Sequence, residues 1–395
     1  MSSVKLGQNQ ESIQASNKAL LLELIRSEEN CSRATLSKIS GLQPTTVTYI
    51  VNDFIQKGII EETGLISGSR GRRSIEISIT DKNYAVLGIR IARQGFSLGA
   101  YTLNGRKIQE EDYSYPGELS GADIVTFVSD KAKELIEKAG EYKILTAGIA
   151  VPGPFNTASN RIMFLTESTD WGDIDLHEEF SRKLGLDVVC LHDANAGALS
   201  QLWMNPQVKR TDTIFYVSVG QGVGGGILMN GNIMEGSRGY AGEIGHMSID
   251  YRGPLCKCGN HGCLENYTSS IALAKAVNKE MGTDYSFNEI AELIRKGEEI
   301  PLKHFNQVCD FLAIGMVNLF NSLDPDKIIF GDQVAKILPD VMRDRIKAGI
   351  AERTLPKMIS NLEVLTINPD HNAELHGAGV AAIRSIYQNY SKYFS

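Results

Sequence analysis

"EGSRGYAGEIGHMSIDYRGPLCKCGNHGCLE", residues 235–265, places His246 ahead of three closely spaced cysteines, Cys256, Cys258 and Cys263. The spacing H-x9-C-x-C-x4-C admits a stapled loop, a redox site or a metal site. A tetrahedral structural metal takes four nitrogen or sulfur ligands, and a cysteine pair one residue apart plus a third after a glycine turn can close such a site. Three unrelated reduced thiols are the alternative. His261 is a rival imidazole, but it sits inside the cysteine loop and off the pattern.

Composition narrows these readings. The 395 residues are 42% hydrophobic and 22% charged, with a net charge of -7. That length suggests two or three folding units. The opening "MSSVKLGQNQESIQASNK" has no apolar core of the secretory kind, and no apolar run approaches a membrane span. The cytoplasm is the expected compartment, where structural disulfides are rare. The other cysteines, Cys31, Cys190 and Cys309, lie scattered in apolar surroundings and read as small buried hydrophobes. Overall acidity argues against a chain that coats nucleic acid along its length, yet residues 1–80 hold nine Lys and Arg against eight Asp and Glu. A small DNA-binding module there is compatible with that balance.

Residues 17–26, "NKALLLELIR", put Leu20, Leu21, Leu24 and Ile25 on one helical face. "SRATLSKIS" follows, with Ser32 as N-cap, and Gly41 supplies a turn. In "QPTTVTYIVNDFIQKG" Pro44 opens a helix whose apolar face is Val47, Ile50, Val51, Phe54 and Ile55. Its other face offers Thr45, Thr46, Thr48, Tyr49 and Asn52, hydroxyl and amide groups able to reach bases and phosphates. "IIEETGLISGSRGRRSIEISI" then reads as a hairpin tipped by Arg70, Arg72 and Arg73. Helix, turn, helix and basic hairpin in that order describe a winged helix-turn-helix over residues 1–80, with double-stranded DNA as the expected partner. An ordinary three-helix bundle with a solvated face is the plain alternative.

From Tyr84 onward strands alternate with helices, the pattern of α/β lobes built on mixed sheets. "AVLGIRIARQGFSLGAYTLNGRKI", "ILTAGIAVPGPFN", "DVVCLHDANAGAL", "TIFYVSVGQGVGGGILMNG" and "KIIFGD" supply the strands. No solenoid repeat is visible.

The order of "GIAVPGP", "DANAGAL", "VGQGVGGGI", "EGSRGYAGEIGHMSID", "CKCGNHGCLE" and "PDKIIFGD" resembles the ROK family of bacterial repressors and sugar kinases. With the N-terminal module, the likeness is to its repressors of the N-acetylglucosamine and xylose type. The resemblance runs from about residue 84 onward. It implies a two-lobed actin-like ATPase fold. The first lobe would span 84–194, completed by a C-terminal helix at 373–393, and the second 195–372 with an oligomerisation surface. It implies zinc on His246, Cys256, Cys258 and Cys263. It also implies sugar hydroxyls bound by His192, Asp193, Glu243, His246 and Glu265, with Asp193 at the base position of the family's kinases. His246 would then serve metal and sugar through different ring nitrogens.

Two departures matter. His192 stands where the family's kinases usually have Asn. Those kinases also begin with G-I-D-x-G-G-T, whereas this chain has "GIRIARQ" at 88–94. Arg90 replaces the metal-assisting acid, and Ala92, Arg93 and Gln94 replace Gly-Gly-Thr. Phosphoryl transfer depends on positioning and charge stabilisation, so loss of ATP use is expected. Arg90 is expected either to pair with Asp193 or to be an exposed strand arginine. "GQGVGGG" at 220–226 reads as a retained hinge or fold element. The expected function is a sugar- or sugar-phosphate-responsive repressor, dimeric or tetrameric, on an inverted-repeat operator. The enzymatic alternative is an ATP-dependent hexose or N-acetylhexosamine kinase with an accessory DNA domain.

Overall fold

The computed structural model describes residues 10–28, 30–67, 73–163, 171, 173–355 and 357–394. Helices α1 (Gln10–Ser27), α2 (Arg33–Ser40) and α3 (Pro44–Gln56) precede an antiparallel hairpin of β1 (Ile60–Ser67) and β2 (Arg73–Ile79). Ser32 caps α2 by accepting the Thr35 N–H at 3.2 Å, and Pro44 occupies the first turn of α3, where a missing N–H costs nothing. Val47, Ile50, Val51 and Phe54 are buried as the periodicity predicts, and Ile55 is half-buried. The first helix corrects the sequence reading. Leu22 joins Leu21 and Ile25 in the core, while Leu20 is 41% exposed. α1 packs on the module to one side and on the two last helices of the chain to the other, so its apolar face is rotated.

The remainder is two sheets of one design. β3 (Tyr84–Ile91), β4 (Gly95–Thr102) and β5 (Lys107–Ser114) form a meander, followed by α4 (Gly121–Lys138) and β6 (Lys143–Val151). A small ribbon, β7 (Phe155–Asn156) with β8 (Arg161–Ile162), leads to α5 (Leu176–Leu184) and β9 (Asp187–His192). The order is β5-β4-β3-β6-β9, with β6 and β9 parallel to β3. After α6 (Asp193–Met204) the pattern repeats with β10 (Ile214–Val219), β11 (Val223–Met229) and β12 (Asn232–Ile233). The cysteine loop, α7 (Glu265–Thr268), α8 (Ser270–Met281), α9 (Phe287–Arg295) and α10 (Glu299–Leu323) intervene before β13 (Lys327–Gly331). Next come α11 (Asp332–Ala335), α12 (Pro339–Arg353), β14 (Glu363–Thr366), α13 (Ala373–Gln388) and α14 (Tyr390–Tyr393). This sheet runs β12-β11-β10-β13-β14, again three antiparallel strands and two parallel ones. Every residue of β10 and β13 is buried, as expected for strands covered on both faces.

α6 and α13 lie between the sheets. α13 packs on β3 and β6, α6 on β10 and β11, and each packs on the other. Their approach is backbone to backbone: a Cβ on Gly377 would stand 1.7 Å from the Ala196 carbonyl oxygen, with no flexible side chain to yield. No helix among the described residues is long and apolar enough to cross a membrane.

Gly377 is helical, so propensity alone would make Gly377→Ala stabilising by about 1 kcal/mol. The close approach reverses the sign: the variant is expected to lose about 1–3 kcal/mol through overpacking, read as a lowered melting temperature.

Candidate functional site

A cleft of about 300 Å³ opens between the sheets. Its walls come from the carboxyl ends of their strands: Arg90 of β3, Pro152 after β6, His192 of β9, Ser218 of β10 and Asp332 after β13. Open α/β sheets place ligands at this end, because the loops there converge and helix N-termini point inward. His192, Asp193, Glu243, His246 and Glu265, scattered over 74 positions of sequence, all line this one cleft.

Asp193 begins α6, and its Oδ1 accepts the Ala194 N–H at 2.7 Å and lies 3.3 Å from His192 Nε2. Glu265 Oε2 accepts the Val223 N–H at 3.0 Å, which fixes that carboxylate against the glycine turn. Burial pushes the Glu243 carboxyl above its usual range, against the opposing pull of His192 and His246. The glycine-rich stretch is a packing device where it enters β11: a Cβ on Gly226 would stand 2.1 Å from the Ala194 carbonyl oxygen, so α6 can reach β11 only over glycine.

Arg90 departs from both expectations. It neither pairs with Asp193 nor stands exposed on the strand. Its Nη2 donates to Asp332 Oδ2 at 2.9 Å and its Nη1 lies 3.6 Å from Glu374 Oε2, with the Arg90 side chain only 16% exposed. Tyr216 donates to Glu374 Oε1 at 2.8 Å, and the Ser218 hydroxyl lies 3.2 Å from the same oxygen. Burial opposes the charge on Arg90, but Asp332, Glu374 and Asp193 outweigh it and hold the guanidinium pKa above its ordinary value. Burial likewise drives the Glu374 carboxyl up, with Arg90 pulling the other way. Asp193 therefore contributes field to Arg90 rather than a bond. The reason is position: Asp332, just past the end of β13, has its Oδ2 within reach of both Arg90 of β3 and Ser218 of β10.

Beside the cleft, the ligand atoms of His246, Cys256, Cys258 and Cys263 all lie within 4.8 Å of one another. Cys256 Sγ is 3.9 Å from His246 Nδ1, and Cys258 Sγ is 3.6 Å from Cys263 Sγ. A tetrahedron with bonds of the zinc–sulfur and zinc–nitrogen lengths has edges of roughly 3.5–3.8 Å, so the four donors fit one ion. His246 turns Nδ1 to the sulfurs, which leaves Nε2 on the other edge of a ring that lines the cleft. His261 stands apart, its Nδ1 3.2 Å from the Gly253 carbonyl oxygen.

In the N-terminal module Thr45, Thr48, Tyr49 and Asn52 are exposed and Thr46 is half-buried. Thr48 spends its hydroxyl hydrogen on the Pro44 carbonyl at 2.8 Å, and Asn52 Oδ1 accepts from Arg33 Nη2 at 3.2 Å. Arg70 and Arg72 lie outside the described residues; Arg73 opens β2, its backbone in register with Ser67.

The chain is similar to known proteins along most of its length. Residues 86–384 match the profile of the ROK family, and residues 17–61 match a winged helix-turn-helix DNA-binding profile. The chain belongs to the ROK family. The xylose repressor of Bacillus spizizenii is 29% identical over 364 residues, which cover 91% of this chain and 93% of that protein. The dual transcriptional regulator NagC of Escherichia coli is 25% identical over 379 residues, 91% of this chain and 90% of its own. A crystal structure of a ROK transcriptional regulator, described as a homologue of the Escherichia coli MLC protein, superposes with a TM-score of 0.80 over 95% of this chain and 97% of that one, at 24% identity.

Within this ROK chain, sequence reasoning missed Asp332, Glu374, Ser218 and Arg33 as site residues. Asp332 was visible as the last letter of "KIIFGD", but nothing local marked it as a partner for Arg90, 242 positions away. The donor set predicts one tightly held metal per chain by elemental analysis. Chelation is expected to lower the melting temperature, and Cys263→Ser to abolish the bound metal.

Proposed function

We propose that this ROK protein is a sugar-responsive transcriptional repressor that binds its effector in the interlobe cleft and does not transfer phosphate. The observation that carries the reading is the ion pair of Arg90 with Asp332, backed by Glu374. A kinase of this fold must leave its acidic groups free to manage a metal and the phosphates, since positioning and charge stabilisation are almost the whole of phosphoryl transfer. Here a fixed guanidinium is bonded to the carboxylate at the end of β13. The kinase reading, with a hexose or an N-acetylhexosamine as substrate, is favoured by Asp193 at the head of α6 and opposed by Arg90.

The cleft suits a polyol. His192, Asp193, Glu243, His246 and Glu265 offer carboxylates and imidazoles where vicinal hydroxyls act as donors and acceptors at fixed spacing. A site built this way rejects analogues that lack a hydroxyl. The similar proteins include a xylose repressor and an N-acetylglucosamine repressor, which supports a sugar or sugar phosphate as the effector. In the His/Cys3 cluster the ion is zinc, because thiolates with one imidazole in a tetrahedron suit it best. Four protein ligands leave no open position, so zinc would hold the loop and orient His246.

Thr45, Thr46, Thr48, Tyr49, Asn52 and the arginines 70, 72 and 73 form the proposed DNA-reading set, with Arg33 added beside Asn52. Residues 1–80 are the DNA-binding unit. Residues 84–194 with the two helices α13 and α14 form one lobe, and residues 195–372 the other. A cytoplasmic homodimer or homotetramer would place two modules on an inverted-repeat operator. The effector acts only to the extent that it binds the two lobe arrangements with different affinity.

A thermal-shift panel of common sugars, their 6-phosphates and Mg-ATP tests the reading. One sugar is expected to raise the melting temperature, by about 2.7 kcal/mol of added stability at a hundred times its dissociation constant, and Mg-ATP to leave it unchanged. Asp193→Asn is expected to weaken that sugar by about 10- to 100-fold, the worth of a hydrogen bond to a charged group. A shift with Mg-ATP together with sugar-dependent ADP release would replace the repressor reading with the kinase one.

A further inference from the structure

The DNA module is built into the first sheet rather than strung from it. Phe54 of α3 packs its ring 5.2 Å from Tyr390, and Tyr84 sits 5.1 Å from Phe394. Lys18 bonds Asp53 at 2.7 Å and lies over the Tyr390 ring. Tyr84 also donates to the Lys57 carbonyl at 3.0 Å. Leu21, Leu22 and Ile25 share one apolar cluster with Ile383, Ile386 and Tyr387 of α13. The module, β3 and α13–α14 therefore form one packed body.

The second sheet reaches the module through a different set of groups. The Arg26 guanidinium of α1 stacks 4.0 Å from the ring of Trp203, at the end of α6. Glu23 Oε2, one turn earlier, lies 3.8 Å from Arg26 Nη2 and 3.5 Å from Arg210 Nη1. Arg210 belongs to the segment that feeds β10, and its side chain runs along Gly231 in the β11–β12 turn. The Gly231 carbonyl accepts from Arg384 of α13 at 2.9 Å. One carboxylate thus faces guanidinium groups from α1, α13 and the second sheet. Burial lowers the pKa of both Arg26 and Arg384, with Glu23 opposing it in each.

We infer that Glu23 and Arg26 of α1, held by Arg210 and Trp203, form the contact through which effector occupancy reaches the DNA module. The inference rests on the sugar-repressor reading and names its route of regulation. α1 is fixed by apolar packing to the first body, by stacking to Trp203 of α6, the helix seated between the sheets, and by charge to Arg210 of the second. A change in the angle between the sheets must then either pull α1 or break the Glu23–Arg210 pair. A pull on α1 alters how α3 is presented, because α1 and α3 share the Lys18–Asp53 bond and one core, whereas a broken pair leaves both seated on the first body and uncoupled from the second. Glu23, Arg26, Arg210 and Trp203 are positioning residues and lie outside the effector cleft.

The test uses the full chain, a DNA duplex selected from random sequence by that chain, and xylose and N-acetylglucosamine with their phosphates as probes. Arg210 is 58% exposed, so Arg210→Ala is expected to fold. Its sugar-induced melting shift and its sugar-free DNA affinity should stay within about twofold of wild type. The factor by which sugar changes DNA affinity should shrink about three- to tenfold, the range in which residues along a coupling route act. Arg210→Lys, which keeps the charge opposite Glu23, should recover most of that factor. An unchanged factor in Arg210→Ala would overturn the inference and leave the repressor reading standing. A wild-type chain whose DNA affinity ignores every sugar that shifts its melting temperature would remove the repressor reading, and the inference with it.

Discussion

The contact on which the rest depends is the seating of α6 on α13. Two helices can approach backbone to backbone only where side chains are absent, and Gly377 above Ala196 provides that. Gly148 gives α13 the same intimacy with β6, its added Cβ standing 1.9 Å from the Ala378 carbonyl oxygen. The pair fills the space between two sheets of equal topology. It also has direction. The first turns carry Asp193 and Glu374 toward the cleft, and the last turns carry Trp203 and Tyr387 toward the DNA module. Sixteen helical residues span about 24 Å, enough to join floor and module without a loop.

A second constraint is electrostatic. The floor of the cleft sets Asp332 and Glu374 close together in low dielectric, an arrangement that needs a cation. A divalent ion and a guanidinium both satisfy it, with different results. An ion exchanges with solvent and brings phosphates with it. A guanidinium is tethered to β3, keeps its proton and bonds its carboxylates in a fixed plane. A buried pair of this kind adds little net stability over an apolar replacement, yet losing one partner strands the other charge. Arg90 accordingly defines the geometry of the floor more than it strengthens the fold.

Local pattern was enough for much of this. The alternation of strands and helices, the cap at Ser32, Pro44 opening α3 and the H-x9-C-x-C-x4-C spacing are all encoded within a few residues. The family motifs brought the five cleft residues together before any coordinates did. What escaped was long-range. Nothing near Arg90 announces Asp332 or Glu374, because the pair forms only when β3 and β13 end at the same level. The exposure of Leu20 and burial of Leu22 depend on a helix almost the whole chain away. The duplicated strand order is also invisible in sequence, since the two sheets share a path of the backbone and carry different side chains along it.

The aromatic contacts of Phe54 with Tyr390 and of Tyr84 with Phe394 set an order of assembly. α3 leaves the ribosome well before Tyr390, which covers its inner face at Phe54. At about 5–20 residues per second the interval is roughly 20 to 70 seconds. During that time α1 and α3 have no finished core to rest on. A nascent chain therefore carries α3 without its foundation, and the module is completed only when synthesis has passed through both sheets and delivered α13 and α14.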